Sequence, residues 1–85
     1  MYEVAWKDEA EAGLRKIDRA TVKKIKSRVE KHLAQNPYVG KPLKGNWKGF
    51  YRYRCFDQYR VIYEVQKTKL LIIVVKVGHR REVYC

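Results

Sequence analysis

This sequence is short of acid, cysteine, glycine and proline, and it has no long apolar run. Nine Asp and Glu stand against twenty Lys and Arg, for a net charge of +11 over 85 residues. Two cysteines, Cys55 and Cys85, make no disulfide framework, and a terminal residue anchors one poorly. A zinc centre needs four ligands, and two Cys with two His (His32, His79) at no finger spacing give no reason to expect one. The longest apolar run, Leu70 to Val75, is a strand's length and falls far short of the ~18 residues of a membrane span. Met1 to Val4 has neither a basic region nor an apolar signal core. Five glycines and two prolines are too few for a low-complexity chain. The expectation is a single globular domain over residues 1–85, cytoplasmic, with no metal and no cofactor.

The positive charge is uneven. Residues 1–37 hold nine basic and six acidic residues, and residues 38–85 hold eleven and three, so the net charges are +3 and +8. A field of this kind attracts polyanions and speeds their association. No long basic amphipathic helix with bulky aromatics is present, so a membrane surface ranks last among the possible partners.

Periodicity gives the order of elements. Tyr2, Val4 and Trp6 alternate as a short first strand. Asp8 reads as a helix cap with Glu11 completing a capping box, and Ala10, Leu14 and Ile17 form the buried stripe. Gly13 weakens that helix by about 1 kcal/mol relative to Ala. Asp18 reads as a second cap, followed by the stripe Val22, Ile25, Val29, Leu33, which Asn36-Pro37 ends. Residues 37–49 hold both prolines and three of the five glycines and read as a connecting loop. From Phe50 the period becomes two. Tyr51 and Tyr53 face one way, Arg52 and Arg54 the other. After a turn at Phe56-Asp57-Gln58, Tyr59, Val61, Tyr63 and Val65 oppose Arg60, Ile62 and Glu64. Gln66 to Lys69 turns the chain, Leu70 to Val77 is a central strand, and Arg81 to Tyr84 is a short last strand or tail. The class is α+β: a short N-terminal strand, a helical hairpin, then an antiparallel sheet of three to four strands, with helices covering one face.

Several chemistries have no residues to support them. There is no phosphate-binding glycine loop, no GxSxG, no CxxC and no paired-carboxylate arrangement. What remains is a basic cluster interleaved with aromatics: Tyr51-Arg52-Tyr53-Arg54, Tyr59-Arg60, and Gly78-His79-Arg80-Arg81-Glu82-Val83-Tyr84. Strand residues two apart share a face, so Arg52 and Arg54 project together. Hairpin pairing that set Arg60 beside Arg54 would gather three guanidiniums. Like charges side by side destabilise a sheet, and an anion relieves them. Histidine is the side chain whose ordinary charge change falls near neutral pH, so His79 is a candidate to move a proton. Each feature also has a plainer reading. Arg52 and Arg54 serve equally well to discourage edge aggregation. His79 reads as a loop residue, Tyr84 as a ring packed over the sheet edge, and the Lys23, Lys24, Lys26, Lys31 face as solvated.

Four fragments in this order and spacing carry a resemblance. They are Gly40-Lys41-Pro42-Leu43-Lys44-Gly45, Tyr51-Arg52-Tyr53-Arg54, Tyr59-Arg60-Val61-Ile62-Tyr63 and Val77-Gly78-His79-Arg80-Arg81-Glu82-Val83-Tyr84. Together the chain resembles the RelE/ParE superfamily of toxin–antitoxin toxins over essentially its whole length. The resemblance implies a curved sheet with a helical hairpin on one side and an RNA-facing concave side. It implies a metal-independent endoribonuclease of the RelE type, an mRNA interferase that cleaves messenger RNA, usually in the ribosomal A site, through attack of the 2′-hydroxyl on the adjacent phosphate. It also implies an acidic RelB-like antitoxin as partner, with operator DNA bound only through the antitoxin complex. The catalytic residues so implied are Arg54, Arg60, His79, Arg80 and Tyr84, with Arg52, Arg81 and Lys44 binding RNA. Arg60 and Arg80 bind the scissile phosphate, Arg54 or His79 assists proton removal, and Tyr84 stacks on the cleaved nucleotide. Arginine stands at the second-strand positions where lysine is frequent in relatives, and its high pKa makes it a poor base, which shifts that role towards His79. Two alternatives belong to the same superfamily: a ParE-like protein that binds DNA gyrase and cuts nothing, and an inactive antitoxin-binding co-repressor.

Overall fold

The computed structural model describes residues 1–83. The elements run β1 (Glu3–Trp6), α1 (Asp8–Leu14), α2 (Arg19–Arg28), β2 (Lys41–Pro42), β3 (Phe50–Cys55), β4 (Tyr59–Gln66) and β5 (Leu71–His79). They build one sheet in the order β1-β5-β4-β3-β2. β2 to β5 are antiparallel neighbours, and β1 joins β5 in parallel, with Trp6 opposite Val74. This is the α+β arrangement expected, with a mixed sheet of five strands. Among the described residues no helix is long and apolar enough to cross a membrane.

Both helical stripes cover the same sheet face. Ala10, Leu14, Ile25, Val29 and Leu33 pack on Tyr53, Cys55, Val61, Tyr63, Ile72, Val74 and Val77, with Tyr2, Val4, Trp6, Ile17 and Val22 around them. Asp18 caps α2 as expected. Its carboxylate accepts from the Thr21 N–H at 3.0 Å and from the Thr21 hydroxyl at 2.7 Å, and these bonds hold its pKa below the usual carboxylate value. A group with a depressed folded pKa adds stability above its unfolded pKa and loses it as pH falls. Thermal melts of Asp18→Ala are therefore expected to lie below wild type at neutral pH, with the gap closing as the pH drops below the usual aspartate range. A constant gap across that range would show that the carboxylate charge contributes nothing.

Asp8 does not act as the expected cap. It is the first helical residue, and Lys7 occupies the cap position with no side-chain bond. The reason is the sheet: the Lys7 N–H is already bonded to the Val74 carbonyl at 2.9 Å, so the chain turns into the helix one residue early. Asp8, Glu9 and Glu11 instead place negative charge in the first turn, where the helix dipole favours it. Gly13 also has a tertiary cause, because a Cβ there would collide with the Val77 carbonyl. After α2 the last turn widens to a π-type turn over Val29–Leu33, closed by the Ala34 N–H to the Val29 carbonyl at 3.1 Å.

The segment 37–49 is more ordered than the loop expected from its prolines and glycines. The Tyr63 hydroxyl, fully buried, donates to the Pro37 carbonyl at 2.7 Å and accepts from the Gly40 N–H at 3.1 Å. A Cβ on Gly40 would lie 2.5 Å from that hydroxyl oxygen, so only glycine allows the approach. The clamp delivers Lys41 and Pro42 to the edge of β3 as a two-residue strand. A 3₁₀ turn at Gly45–Trp47 follows. Arg81 and Glu82 do not form the last strand considered from sequence. The Glu82 and Val83 N–H groups both bond the His79 carbonyl, at 2.8 and 3.0 Å, and close a turn.

Candidate functional site

The helices leave one sheet face open, and register decides what stands on it. Directly opposed residues on neighbouring strands share a face. Arg54 opposes Arg60, which opposes Gly78. One row along, Lys41 opposes Arg52, Arg52 opposes Ile62, and Ile62 opposes Lys76. Rows two residues apart lie about 6.8 Å from one another. The expected meeting of Arg52, Arg54 and Arg60 therefore occurs, and two lysines extend it. Ile62 is fully buried but lies outside the helix-side core. Its row neighbours are Arg52 and Lys76, long cations whose stems commonly cover apolar surface.

Lys41 and Lys76 were not anticipated from sequence. Lys41 lies on β2, which is too short for any period to reveal. Lys76 depends on a bulge. Tyr63 pairs with Val74 while Ile62 pairs with Lys76, so Val75 has no partner and the alternation shifts by one. Simple alternation from Ile72 and Val74 would put Lys76 in the core. The bulge sends Val77 there instead and turns Lys76 to the arginine face.

The β3–β4 turn and the end of β5 complete the cluster. The Arg80 N–H bonds the Gln58 carbonyl at 2.7 Å, which ties the segment after β5 to that turn. Arg80 Nη1 lies 3.5 Å from Asp57 Oδ2, and Arg54 Nη1 lies 4.0 Å from Oδ1. Arg60 Nη1 donates to the Asp57 carbonyl at 2.7 Å and to the Tyr59 carbonyl at 3.1 Å. Desolvation, then Arg54 and Arg52, lower the Arg60 pKa, with Asp57 opposing and Arg80 adding a smaller push. A guanidinium begins from so high a pKa that it stays charged at physiological pH. Four arginines therefore share one patch, and among the ion pairs of the described residues Asp57 is the acid that meets it. Lys41, Arg52 and Arg54 also line a hollow of about 310 Å³ with Val39 and Gly40.

Gly78 explains how the tail reaches this face. It opposes Arg60, and a Cβ on it would stand 2.8 Å from Val83 Cγ2. Val83, buried, packs where that side chain would be. The chain after β5 thus folds back onto Gly78.

His79 does not join the arginines. It opposes Tyr59, whose ring packs against the helix-side core, and the two rings meet edge to face with centroids 5.9 Å apart. His79 Nδ1 accepts from the Arg81 N–H at 3.2 Å, which assigns the proton of the neutral ring to Nε2. The same parity that sends Gly78 to the open face sends His79 to the other. Arg81 is exposed beside it. Lys44 is exposed at the Phe50 end of β3, where the Leu43 N–H bonds the Phe50 carbonyl at 3.0 Å. That end is about 13 Å from Arg54 at 3.3 Å per residue. Tyr84 lies outside the described residues. Cys55 is buried in the core, and burial pushes its thiol up to about 11, so it packs as a small apolar residue.

Solved structures that share this fold include several toxins of toxin–antitoxin systems. The Mycobacterium tuberculosis RelBE2 toxin–antitoxin complex superposes with a TM-score of 0.86 at 25% identity, over 93% of this chain and 98% of that one. The isolated Escherichia coli RelE toxin gives 0.75 at 21% identity, over 93% and 84%. The YoeB/ParE toxin from Agrobacterium tumefaciens gives 0.74 at 20% identity, over 92% and 98%. No curated protein sequence matches. The fold is that of the RelE/ParE toxin superfamily. The family model for the ParE toxin of type II toxin–antitoxin systems, parDE, matches residues 4–84, and the chain belongs to that family.

Proposed function

We propose that this protein is the toxin of a type II toxin–antitoxin system and cleaves messenger RNA without a metal, in the ribosomal A site, in the manner of RelE. The observation that carries this reading is the convergence of Arg52, Arg54, Arg60 and Arg80 on an open sheet face. Guanidinium forks match phosphate oxygens and stay charged through the reaction. The substrate 2′-oxygen attacks the adjacent phosphorus and passes its proton to solvent, the P–O5′ bond breaks, and the departing 5′-oxygen takes a proton from solvent, leaving a 2′,3′-cyclic phosphate. Arg60 and Arg80 stabilise the charge that grows on the non-bridging oxygens, Arg54 supports them, and Arg52 with Lys41 and Lys76 holds neighbouring phosphates. Tyr84 is assigned to stacking on the cleaved nucleotide, where unpaired bases meet aromatic rings. With its Nδ1 bonded to the Arg81 N–H, His79 holds the tail, and it is not assigned the base. A general base contributes about 10²–10⁴-fold, so His79→Gln is expected to lose far less cleavage than that. A loss in that range would return His79 to proton transfer.

An antitoxin is the expected regulator, because similar structures include RelE with a RelB peptide and the RelBE complex. The open groove of α2, lined by Lys23, Lys24, Arg28 and Lys31 with Ala20 and Phe56 as its apolar floor, suits an acidic amphipathic segment. Cytoplasmic action follows from the messenger RNA target, and operator DNA is reached through the antitoxin.

A second reading is favoured by the family match itself, whose model describes ParE toxins. On that reading the protein inhibits DNA gyrase and cuts nothing. Primer extension on a messenger RNA with and without translating ribosomes separates the two. Cleavage confined to translated RNA supports the interferase. Cleavage of free RNA keeps the enzyme and removes the A site. An uncut RNA together with inhibited gyrase supercoiling selects the second reading. Affinity for RNA is also expected to fall steeply with salt, by about 0.7 logarithmic units per decade for each phosphate contacted on a single strand. A flat dependence would remove the phosphate contacts.

A further inference from the structure

We propose that the Asp57 carboxylate is an internal counter-ion, occupying the anion position between Arg54 and Arg80 until an incoming phosphate displaces it. The inference rests on reading the arginine face as a phosphate site and adds a residue that controls entry to it. Asp57 is the only acid touching the cluster among the ion pairs of the described residues, and it touches two arginines through its carboxylate and a third through its carbonyl. It stands in the three-residue turn between β3 and β4 with φ of 64°, beside Phe56 at 54°. Asp and Asn are the side-chain-bearing residues that most readily adopt that conformation.

The geometry is that of a ligand able to leave. Its two carboxylate contacts, at 3.5 and 4.0 Å, are longer than the 2.7–2.9 Å of a charge-assisted bond, and neither is bidentate. The carboxylate is exposed, so its pairs are screened and add little to folding. Its effect is on what else binds. Arg54 and Arg60 oppose one another directly, and such pairs repel. Asp57 relieves part of that repulsion in the free protein. A phosphodiester offers two anionic oxygens at fixed geometry and its chain neighbours bring more charge, so an RNA strand displaces Asp57 where a lone carboxylate or chloride does not. Asp57 thereby sets a threshold that favours dense polyanions. The Asp57 carbonyl is unaffected by exchange, so the bond from Arg60 persists and keeps that fork aimed at the site.

The test uses the full chain and a short oligothymidylate, which carries phosphates, lacks the 2′-hydroxyl and is not cleaved. Titration calorimetry compares wild type with Asp57→Asn, Asp57→Gly and Arg60→Ala over a series of salt concentrations. Both substitutes at position 57 tolerate the turn conformation, so agreement between them excludes a folding artefact. Asp57→Asn and Asp57→Gly are expected to bind about tenfold tighter at the same salt slope, because the strand makes the same phosphate contacts but displaces no internal carboxylate. Unchanged or weaker binding by both overturns the counter-ion role. If Arg60→Ala abolishes binding while the changes at 57 do nothing, only the role of Asp57 falls. If Arg60→Ala binds as wild type, the phosphate reading of the cluster falls, and this inference with it.

Discussion

On the interferase reading, Arg60→Ala is expected to cut RNA cleavage by about 10²–10³-fold and to relieve growth inhibition, with little change in thermal stability. The size follows from what removing one preorganised charge donor from a reacting phosphoryl or carbonyl oxygen costs elsewhere. The retained stability follows from the site itself. Arg60 stands opposite Arg54 with Arg52 and Arg80 near it, and these neighbours and desolvation all depress its pKa. Repulsion from the facing Arg54 offsets the two main-chain bonds that truncation removes, so the melting temperature is expected to change little. Arg60→Lys separates charge from geometry: it keeps the positive charge and loses both the planar fork and the Nη1 that bonds the two main-chain carbonyls. It is expected to fall between wild type and Arg60→Ala. A folded Arg60→Ala that cleaves within a few-fold of wild type would take Arg60 out of the mechanism.

Tyr63→Phe is expected to destabilise the protein by about 2–4 kcal/mol, read as a lower urea midpoint at unchanged slope. The ring fits the same space, so packing is conserved. The loss is polar: the Gly40 N–H and the Pro37 carbonyl both lose their buried partner, at about 1–3 kcal/mol for a group left unsatisfied. Domains of this size hold only about 5–15 kcal/mol in total. The same hydroxyl gives an alkaline signature. Burial pushes it from 10.0 up to about 12. A group with a raised folded pKa adds stability below its unfolded pKa and loses it as pH rises through the folded one. Wild type is therefore expected to lose stability between pH 10 and 12 more steeply than Tyr63→Phe. Parallel curves would show that the buried hydroxyl does not govern that range. Weakening this clamp also loosens β2, and with it Lys41 and the hollow beside Arg52.

Much of the fold was legible because the local signals agreed with one another. The stripe Val22, Ile25, Val29, Leu33 could bury only against a sheet, and alternation from Phe50 onward supplied that sheet. Asp18 capped α2 because its bond to Thr21 is local and needs nothing from the rest of the chain. The arginine pair was legible for a similar reason: a short turn at Phe56-Asp57-Gln58 leaves little choice of register, and register sets Arg54 opposite Arg60. Asp8 misled because a tertiary bond, from the Lys7 N–H to Val74, overrode a local motif.

By itself, then, the sequence determined the class of fold, the two helical faces, the hairpin register and the sign of the charge on the open face. Each is written in spacings of two, three or four residues. Tertiary structure alone decided the rest. A bulge at Val75 moved Lys76 out of the core, and a buried hydroxyl on β4 pinned the loop that brings Lys41 to the sheet edge. The parity of β5 parted His79 from the arginines that its sequence neighbour Arg80 joins. The left-handed turn at Asp57 set its carboxylate between Arg54 and Arg80 and its carbonyl against Arg60. These outcomes depend on how one strand's alternation is offset against another's and on which groups meet across the fold, and that offset has no counterpart in the order of residues along the chain.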